Sequence, residues 1–335
     1  MDPVLVPARD KRVKRMSKKK EDEKELRTIS LQDRFSKVSV EDFASPLAPG
    51  MQVRDYLDAL PRLLAGGEIR EVAERIAGAA RAKKEVIVGL GAHVIKVGLA
   101  PVLISWMERG IITCLAMNGA GVIHDAEIAL WGKTSENVGP ALDEGMFGVG
   151  EETALLVNDA LSRGRQEGKG FGEAVAQRLA ESDPPYANLS LLCQAVRRQL
   201  PVTVHVAMGT DTIHMHPAAD GAAIGEASLR DFHLLVSRIA ELEGGAYLNV
   251  GSAVILPEVF MKALNLARNQ GNKVEEFTTV DMDFIKHYRP SVNVVDRPVR
   301  MGGRGYQLIG HHELNLPLLA VAVLERLASR SQESN

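Results

Sequence analysis

The sequence predicts an α/β protein built on a single doubly wound, mostly parallel sheet with a helical N-terminal cap. Short apolar segments rich in β-branched residues alternate with longer segments of helical periodicity. Continuously apolar strands of this kind are typical of a parallel sheet that helices cover on both faces. No Pro- or Ser-rich linker interrupts the alternation, so we expect one domain over residues 31–330. Residues 1–30 are charged and unpatterned, and they predict a disordered basic tail.

The predicted elements follow one another in a βα order. Helical periodicity over residues 55–76 predicts the cap. Strands are predicted at 85–91, 111–117, 202–208, 246–250, 277–281 and 292–295. Helices are predicted at 94–109, 151–166, 171–180, 189–200 and 317–327, with another that reaches Trp131. A helical middle region therefore separates the second strand from the third.

The composition excludes several classes of protein. The 335 residues carry 40 Lys and Arg against 43 Asp and Glu, and a net charge of −3 gives no reason to expect a nucleic-acid partner. Acidic residues follow the basic cluster at 11–20, which we interpret as part of a solvated tail. No segment reaches the roughly 18 uncharged apolar residues of a membrane helix, and no signal peptide is recognised ahead of Cys114 and Cys193. We therefore expect a cytoplasmic protein with buried free thiols and no membrane partner.

Two strand ends that contain glycine predict a dinucleotide site. Ligands bind open parallel sheets at the carboxyl ends of strands, where the strand order reverses. Glycine lets a backbone approach a phosphate, and the helix that follows offers unpaired N–H groups. Because Val94 occupies the third glycine position of the usual fingerprint, a tight turn that needs small residues is the alternative. The candidate cofactor-binding residues here are Gly91, Ala92, His93, Asn118, Gly119 and Gly121.

Residues beyond these loops supply candidate acid–base groups. His124 and Asp125 lie in the first turn of the helix after the second strand, where Asp125 either binds a ligand or serves only as a helix-start carboxylate. Farther on, His205, His214 and His216 accompany two aspartates within sixteen residues. A metal site is one interpretation, since His214 and His216 would share a face of an extended strand. We favour a polar substrate pocket and predict no metal, because no other ligand cluster completes such a site.

Two later strand ends complete the set of candidate loops. Gly251 and Ser252 follow the fourth predicted strand and lead into a helix that contains Glu258. His311 and His312 precede the final helix, and at most one of them should face a ligand, because adjacent side chains project differently. No strand–Gly-x-Ser-x-Gly–helix elbow is present, which argues against an α/β-hydrolase.

These loops, in this order, resemble the deoxyhypusine synthase family over roughly residues 50–328. The matching segments are 91–98, 118–125, 217–225, 249–255, 265–271, 277–279 and 316–323. Among them, Pro217–Gly225 resembles the family's PALTDGSLGD segment, and Asn265–Gly271 resembles its NLMRNGA segment. The resemblance implies a sirtuin-related NAD-binding fold and a homotetramer whose active sites are shared between paired subunits. It also implies NAD-dependent transfer of an aminobutyl group from spermidine to a lysine of a translation-factor precursor.

The sequence departs from this family where the family has its catalytic lysine. The family's SWGK motif is replaced by the segment 299–306, which contains no lysine. A guanidinium is not a competent imine-forming nucleophile near neutral pH. Lys286, the nearest lysine in the sequence, and Arg304, which lies in that segment, are the candidate catalytic residues here. His124 stands where the family has a glutamate, and it is the candidate proton acceptor.

The resemblance also supplies the remaining candidate residues. A cationic amine would be held by charge-assisted hydrogen bonds from carboxylates. The candidate substrate-binding residues are Asp125, His216, Glu226 and Glu258. The further candidate cofactor-binding residues are Asp220, Gly251, Ser252, Thr279 and His311, the last of which aligns with the family's ribose-binding carboxylate.

The sequence thus predicts an NAD-dependent transferase that resembles deoxyhypusine synthase. It would act on a polyamine or related amine and pass an alkylamine group to an acceptor, with a protein acceptor among its partners. Two other classes stay open. One is an NAD-using oxidoreductase or hydrolase in which His205, His214 and His216 carry the chemistry. The other is a nucleotide-binding protein without turnover, which would not need the missing lysine.

Overall fold

The computed structural model of the protein describes residues 26–331, and the chain divides into two units. The first unit ends at Glu41, and its described residues contain turns and no strand. The predicted basic tail covers residues 1–30, of which 1–25 lie outside the described residues. The second unit begins at Asp42 and contains the sheet.

The sheet has six strands, and every neighbouring pair is parallel. Its strands are β1 (Val86–Leu90), β2 (Cys114–Asn118), β3 (Val202–His205), β4 (Ala246–Val250), β5 (Thr278–Asp283) and β6 (Arg304–Ile309). Their order is β3-β2-β1-β4-β5-β6, which reverses direction between β1 and β4. β1, β3, β4 and β5 are buried at every position, as expected of parallel strands covered on both faces. The predicted α/β class is confirmed, and within the described residues the sheet is parallel throughout rather than mostly so.

Helices connect the strands and cover the sheet. They are α1 (Val53–Ala59), α2 (Leu64–Arg81), α3 (Ala92–Lys96), α4 (Ala100–Glu108), α5 (Gly119–Trp131), α6 (Val138–Asp143), α7 (Glu151–Glu167), α8 (Phe171–Glu181), α9 (Leu191–Arg198), α10 (Gly221–Ala240), α11 (Ile255–Asn269), α12 (Tyr288–Pro290) and α13 (His312–Ser331). Short 3-10 helices lie at Val40–Asp42, Ala187–Leu189 and Thr212–Met215, and a π-helix lies at Ser291–Asp296. Between residues 26 and 331, none of the helices is long and apolar enough to cross a membrane.

Alternate residues of each strand face two different apolar layers. In β1, Val86 and Val88 belong to a large cluster that includes residues of α2, α4 and α13. Ile87 between them belongs to a second cluster formed with α10 and α11. Tyr247 of β4 and Phe260 of α11 stack in this second layer with ring centroids 3.8 Å apart. The period of two in a strand therefore divides the core between the two faces of the sheet.

The segment 292–295 was predicted as the last strand, and that prediction is wrong. It lies in the π-helix at Ser291–Asp296, and the edge strand is β6 instead. The π-helix packs closely against that strand, since a Cβ at Gly305 would lie 2.0 Å from the Val295 carbonyl oxygen. The segment contains three valines and Asn293, and so short a stretch of mostly β-branched residues occurs in a buried helical turn as well as in a strand, so periodicity did not distinguish the two.

The predicted helix over 94–109 is two helices, α3 and α4. Gly98 between them has φ of +79°, a left-handed conformation that ends α3, and Pro101 stands in the first turn of α4. The break matters for the site described below, because it leaves α3 as a single short turn over the carboxyl end of β1.

Candidate active site at the carboxyl edge of the sheet

The turns after β1 and β4 pack directly against each other at the point where the strand order reverses. The Gly91 N–H donates to the Val250 carbonyl oxygen (2.8 Å), and the Gly251 N–H donates to that of Met282 (2.9 Å). A Cβ at Gly91 would lie 1.9 Å from the Gly251 carbonyl oxygen, and Gly251 has φ of +71°. The contact between the two backbones accounts for Gly91, as in the tight-turn alternative, and the left-handed φ accounts for Gly251.

A buried histidine closes this region, which we call the switch-point crevice and which is bounded by Gly91, Gly251 and His312. His312 is 2% exposed, its Nε2 lies 3.8 Å from Asp283 Oδ1, and neither ring nitrogen has a hydrogen-bond partner among the described residues. The His93 ring lies 6.0 Å away between centroids. Burial lowers the pKa of His312, an effect that the Asp283 carboxylate opposes. His312 is therefore expected to be neutral at pH 7, with one donor and one acceptor nitrogen.

Asn249, the fourth residue of β4, adds a second unpartnered group. Its Nδ2 donates to Asp281 Oδ1 (2.8 Å) and to the Ser252 carbonyl oxygen (2.9 Å), while its Oδ1 is buried without a partner in the described chain. Ser252 Oγ in turn accepts from the Leu256 N–H at the start of α11 (3.2 Å). Buried polar atoms are nearly always hydrogen-bonded in native proteins. Unpartnered atoms on both Asn249 and His312 therefore mark the crevice as a place where a polar ligand or water completes the hydrogen bonding.

The N-terminus of α5 is occupied by a carboxylate rather than left open to a phosphate. Asn118 Oδ1 accepts from the Gly121 N–H (3.0 Å), which caps the helix. The Asp211 carboxylate accepts from the Ala120 N–H and lies so close that a Cβ at Gly119 would be 2.1 Å from its Oδ2. Gly119 is therefore required by Asp211. This differs from the sequence-based expectation that the glycine makes room for a dinucleotide, and the two strand ends that face each other are those of β1 and β4, not β1 and β2.

A cavity of about 430 Å³ lies beside α5. We call it the α5 cavity. Lys96 of α3, His124 and Glu127 of α5, and Asp211 lie along its wall, together with residues of α7 and of the segment 135–150, which includes α6. Its position over the carboxyl ends of β2 and β3 is the edge at which ligands bind sheets of this kind.

His124 is oriented by a hydrogen-bonded chain in this cavity. Thr134 Oγ1 donates to Glu127 Oε2 (2.5 Å), and His124 Nδ1 lies 2.6 Å from the same hydroxyl. Because a hydroxyl has only one hydrogen, Nδ1 must donate to it, and the neutral ring carries its lone pair on Nε2. Burial raises the pKa of Glu127, but hydrogen bonds from His124 and Thr134 outweigh it and the net pKa lies below the usual value. His124 is thus arranged as a proton acceptor backed by a carboxylate.

The short helix α3 lies between the crevice and the cavity. His93 approaches His312 in the crevice, and Lys96, three residues later, lines the cavity. Side chains three residues apart on a helix have Cβ atoms about 5–6 Å apart. The two regions therefore adjoin one another, separated by about one helical turn.

The two residues proposed for the place of the missing lysine lie at opposite edges of the sheet. Arg304 is the first residue of β6, at the amino edge of the sheet, roughly 17 Å along the strand from the carboxyl edge. Its guanidinium pairs with Glu71 Oε2 (3.2 Å) and lies over the Tyr306 ring. Lys286 is exposed in the segment between β5 and α12. The structure thus does not bring Arg304 together with His124.

Asp125 is fully buried, and its carboxylate serves the N-terminus of α9. It accepts from Ser190 Oγ (2.6 Å), from the Leu191 N–H (2.8 Å) and from the Leu192 N–H (3.0 Å). Burial raises its pKa to about 6, although these hydrogen bonds oppose the rise. All of its hydrogen-bond partners belong to the protein, as in the alternative in which Asp125 serves only as a helix-start carboxylate. The helix that it caps is α9, however, and not its own helix, α5.

Three other candidate acids are engaged in exposed ion pairs. Asp220 caps its own helix, α10, by accepting from the N–H of Ala222 (2.8 Å), and it lies 3.6 Å from Arg165. Glu226 also pairs with Arg165 (3.0 Å). Glu258 accepts from Asn293 Nδ2 (2.9 Å) and pairs with a lysine one helical turn away. None of the three lines the α5 cavity.

The remaining histidines do not form a common site. His214 lies in the 3-10 helix at Thr212–Met215 and His216 follows it, so the expectation that they share a strand face is wrong. His216 Nδ1 accepts from the Ala218 N–H (3.1 Å). His205 is buried at the end of β3, and burial lowers its pKa to about 4. Within residues 26–331 no group of three or more His, Cys, Asp or Glu could hold a metal ion.

Two predicted cofactor residues lie apart from the crevice. Thr279 is the second residue of β5, toward the amino edge, and is buried. The His311 side chain is 71% exposed, with Nδ1 3.8 Å from Glu313. Its neighbour His312 is the buried one, in line with the expectation that only one of the pair faces inward.

Sequence reasoning missed Lys96, Glu127, Asn249 and Asp283 as site residues, whereas Asp211 is one of the two aspartates of the predicted polar pocket. A signal existed for Asp283, since acidic residues at a strand end are candidate ligands, but the predicted strand stopped at 281 instead of 283. Lys96 gave no signal, because its place in the cavity depends on how α3 lies over the sheet.

Comparison with known proteins shows a shared fold. No family model matches the sequence, and no curated protein matches it significantly. A solved candidate deoxyhypusine synthase from Entamoeba histolytica matches with a TM-score of 0.50 and 11% identity over 84% of this chain and 96% of its own. A variant of AgrE solved with L-arginine matches with a TM-score of 0.50 and 16% identity over 78% of this chain and 32% of AgrE.

A candidate LOR/SDH protein from Methanococcus maripaludis S2 matches with a TM-score of 0.48 and 14% identity over 79% of this chain and 70% of its own. AgrE has also been crystallised with ornithine and NAD+. The chain spans about a third of AgrE's length. At these identities the comparisons establish that the chain has the fold of the Entamoeba histolytica protein and of the matching part of AgrE.

Proposed function

We propose that this protein is an NAD-dependent enzyme that oxidises an amine at the carboxyl edge of its sheet. One observation carries the proposal: a crevice with buried, unpartnered polar atoms adjoins a cavity in which His124 is oriented as a proton acceptor. The crevice stands at the topological switch point, where sheets of this order bind dinucleotides. A protein that shares the fold, AgrE, has been crystallised with NAD+.

The polar groups of the switch-point crevice are of the kinds that a dinucleotide uses. Asn249 Oδ1 and the two His312 nitrogens offer acceptors and a donor without partners in the described chain, which suits a carboxamide or ribose hydroxyls. When bound, NAD would supply a hydride acceptor.

The cavity residues would handle the amine and its proton. In the oxidation R–CH₂–NH–R′ + NAD+ → R–CH=N–R′ + NADH + H+, the hydride leaves the carbon beside nitrogen. The proton on nitrogen passes to His124 Nε2, and Glu127 stabilises the resulting imidazolium through Thr134. This step needs an uncharged amine in the reacting state.

We further propose that the imine passes to an acceptor amine, as the family resemblance implies, with a polyamine or related amine as donor and a protein lysine as acceptor. The acceptor nitrogen would add to the imine carbon and expel R′–NH₂, and hydride return from NADH would yield the alkylated acceptor and NAD+. No enzyme-bound imine is required, which suits a chain without lysine at the family's position. If water attacks instead, NADH accumulates and the protein is an oxidoreductase.

Calorimetric titration with NAD tests the first half of this proposal. The His312→Gln variant should bind NAD at least about tenfold more weakly, as expected for losing a buried hydrogen-bonding group. The matched His311→Gln variant, altered at the exposed neighbour, should bind as the parent does. Absence of NAD binding by the parent protein would overturn the proposal and favour a protein without turnover on this cofactor.

Incubation with NAD and a panel of amines, including spermidine and putrescine, tests the second half. Release of a diamine without net NADH supports transfer, and NADH accumulation supports simple oxidation. Unchanged amines across the panel, with NAD bound, would refute amine chemistry.

We also propose that the protein is a homo-oligomer, with a tetramer implied by the resemblance. The segment after β5 exposes Phe284 (53%), Ile285 (49%) and Tyr288 (74%), which supports an intermolecular contact there. Light scattering on the purified protein should give an oligomer mass, and a single-chain mass would refute this proposal.

A further inference from the structure

We propose that the α5 cavity binds a zwitterion: a short chain with an ammonium group at Asp211 and a carboxylate at Lys96. This inference deepens the proposed function. It rests on that function in one respect: the chain that bears the ammonium group would be the amine substrate. It differs from a polyamine in requiring a negative group as well as a positive one.

The Asp211 carboxylate has no ion-pair partner among the described residues. It is 6% exposed and borders the cavity, and its Oδ2 is buried with no hydrogen-bond partner. Across residues 26–331, its carboxylate has no Lys, Arg or His nitrogen within the 4.0 Å of an ion pair. Burial raises the pKa of Asp211, and the nearby His214 only partly offsets this effect. An ammonium group in the cavity would supply the missing donor and the missing charge.

Lys96 is a cation without an anion in the same cavity. Two other carboxylates line that wall, and both are already engaged. Glu127 accepts from Thr134 and interacts with His124, and Glu136 accepts from the Gly148 N–H (2.8 Å). No ion pair within the described residues includes Lys96. Its ammonium therefore remains available for a carboxylate that the protein does not provide.

The size of the cavity fits a ligand rather than a single ion. Its volume of about 430 Å³ lies within the roughly 300–1,000 Å³ of small-molecule sites. A diamine would leave Lys96 facing a like charge, and a simple acid would leave Asp211 unpaired. A chain with one group of each sign satisfies both residues and can place the carbon beside its nitrogen near His124.

Calorimetry without NAD tests this inference with a matched set of five-carbon probes: δ-aminovalerate, pentylamine, valerate and cadaverine. δ-Aminovalerate should bind at least about tenfold more tightly than pentylamine or valerate, because each of these two probes lacks the group for one charge-assisted hydrogen bond. Equal binding of the three, or tightest binding of cadaverine, would overturn the inference. Because NAD is absent, this result is separate from the NAD titration that tests the proposed function.

Substitutions assign the two ends. Lys96→Met should abolish the preference for δ-aminovalerate over pentylamine. Lys96→Glu should bind cadaverine more tightly than δ-aminovalerate. Asp211→Asn should abolish the preference over valerate. Lys84→Met, at an exposed lysine before β1 on the opposite edge, is the matched control and should keep all preferences. Lys96 is exposed, so its variants should fold even if Asp211→Asn does not. If Lys96→Glu still preferred δ-aminovalerate over cadaverine, the assignment of the carboxylate end to Lys96 would be refuted.

Discussion

Replacing Asp125 with alanine should destabilise the fold by an amount that depends on pH while amine binding stays unchanged. The variant leaves two backbone N–H groups of α9, those of Leu191 and Leu192, buried without an acceptor. An unsatisfied buried donor costs about 1–3 kcal/mol, so the pair costs about 4 kcal/mol. Ser190 loses the same acceptor but its hydroxyl can rotate toward another one.

The pH dependence follows from the carboxyl group that the variant removes. Burial raises the pKa of Asp125 from 3.8 to about 6. The folded parent protein therefore holds a proton that the unfolded chain releases, and its free energy of unfolding falls as pH rises from 3.8 to about 6. A pKa rise of about two corresponds to about 3 kcal/mol. The cost of the substitution should thus be about 4 kcal/mol near pH 4 and about 1 kcal/mol at pH 7.

Urea unfolding of both proteins at several pH values gives this difference directly, since other titrating groups cancel between them. Asp55→Ala, at an exposed carboxylate in the first turn of α1, is the matched control and should cost less than about 1 kcal/mol at every pH. Calorimetry with the amine panel completes the test. A variant that is as stable as the parent protein but no longer binds the amine would refute the structural interpretation of Asp125.

Three further predictions concern the site. Thr134→Val should lower kcat for amine oxidation about tenfold or more, because His124 loses its link to a carboxylate. NAD affinity should not change, and the Thr134→Ser variant, which keeps the hydroxyl, should keep the parent rate. Equal kcat values for the two variants in steady-state kinetics would contradict this prediction. Arg304→Ala should leave kcat/KM unchanged and cost at most about 1 kcal/mol in urea unfolding, since its ion pair is exposed; a large loss of activity would place Arg304 in the chemistry after all. His312→Gln should weaken NAD binding while His311→Gln does not, and equal effects in calorimetry would show that burial at the start of α13 is irrelevant to the cofactor.

The fold was predictable because parallel strands carry their signal locally. The segments that became β1, β2 and β4 are short, apolar on both faces and followed by glycine or asparagine, whatever their neighbours in the sheet. The segment 292–295 shows the limit of that signal, since its three valines around Asn293 suit a buried helical turn as well as a strand.

The site was predictable only in part. His124 came from its position after β2, and the structure supplies the partners that orient it. Lys96 and Asp211 meet at one cavity although they are 115 residues apart in the sequence, and no spacing rule links them. Asp125, in contrast, looked like a ligand residue from its position, yet its acceptors are used by the backbone of α9.

The sequence by itself determined the class of fold, the strand ends at which ligands are expected and the absence of a lysine from the segment 299–306, since each of these is a local property of composition and order. Only the tertiary structure decided which strand ends meet, because the reversal of strand order between β1 and β4 arises from long-range pairing. It also decided which polar groups are left without partners, as His312, Asn249 and Asp211 are. Hydrogen-bond satisfaction depends on every neighbour that packing brings to a group, and those neighbours come from distant parts of the chain.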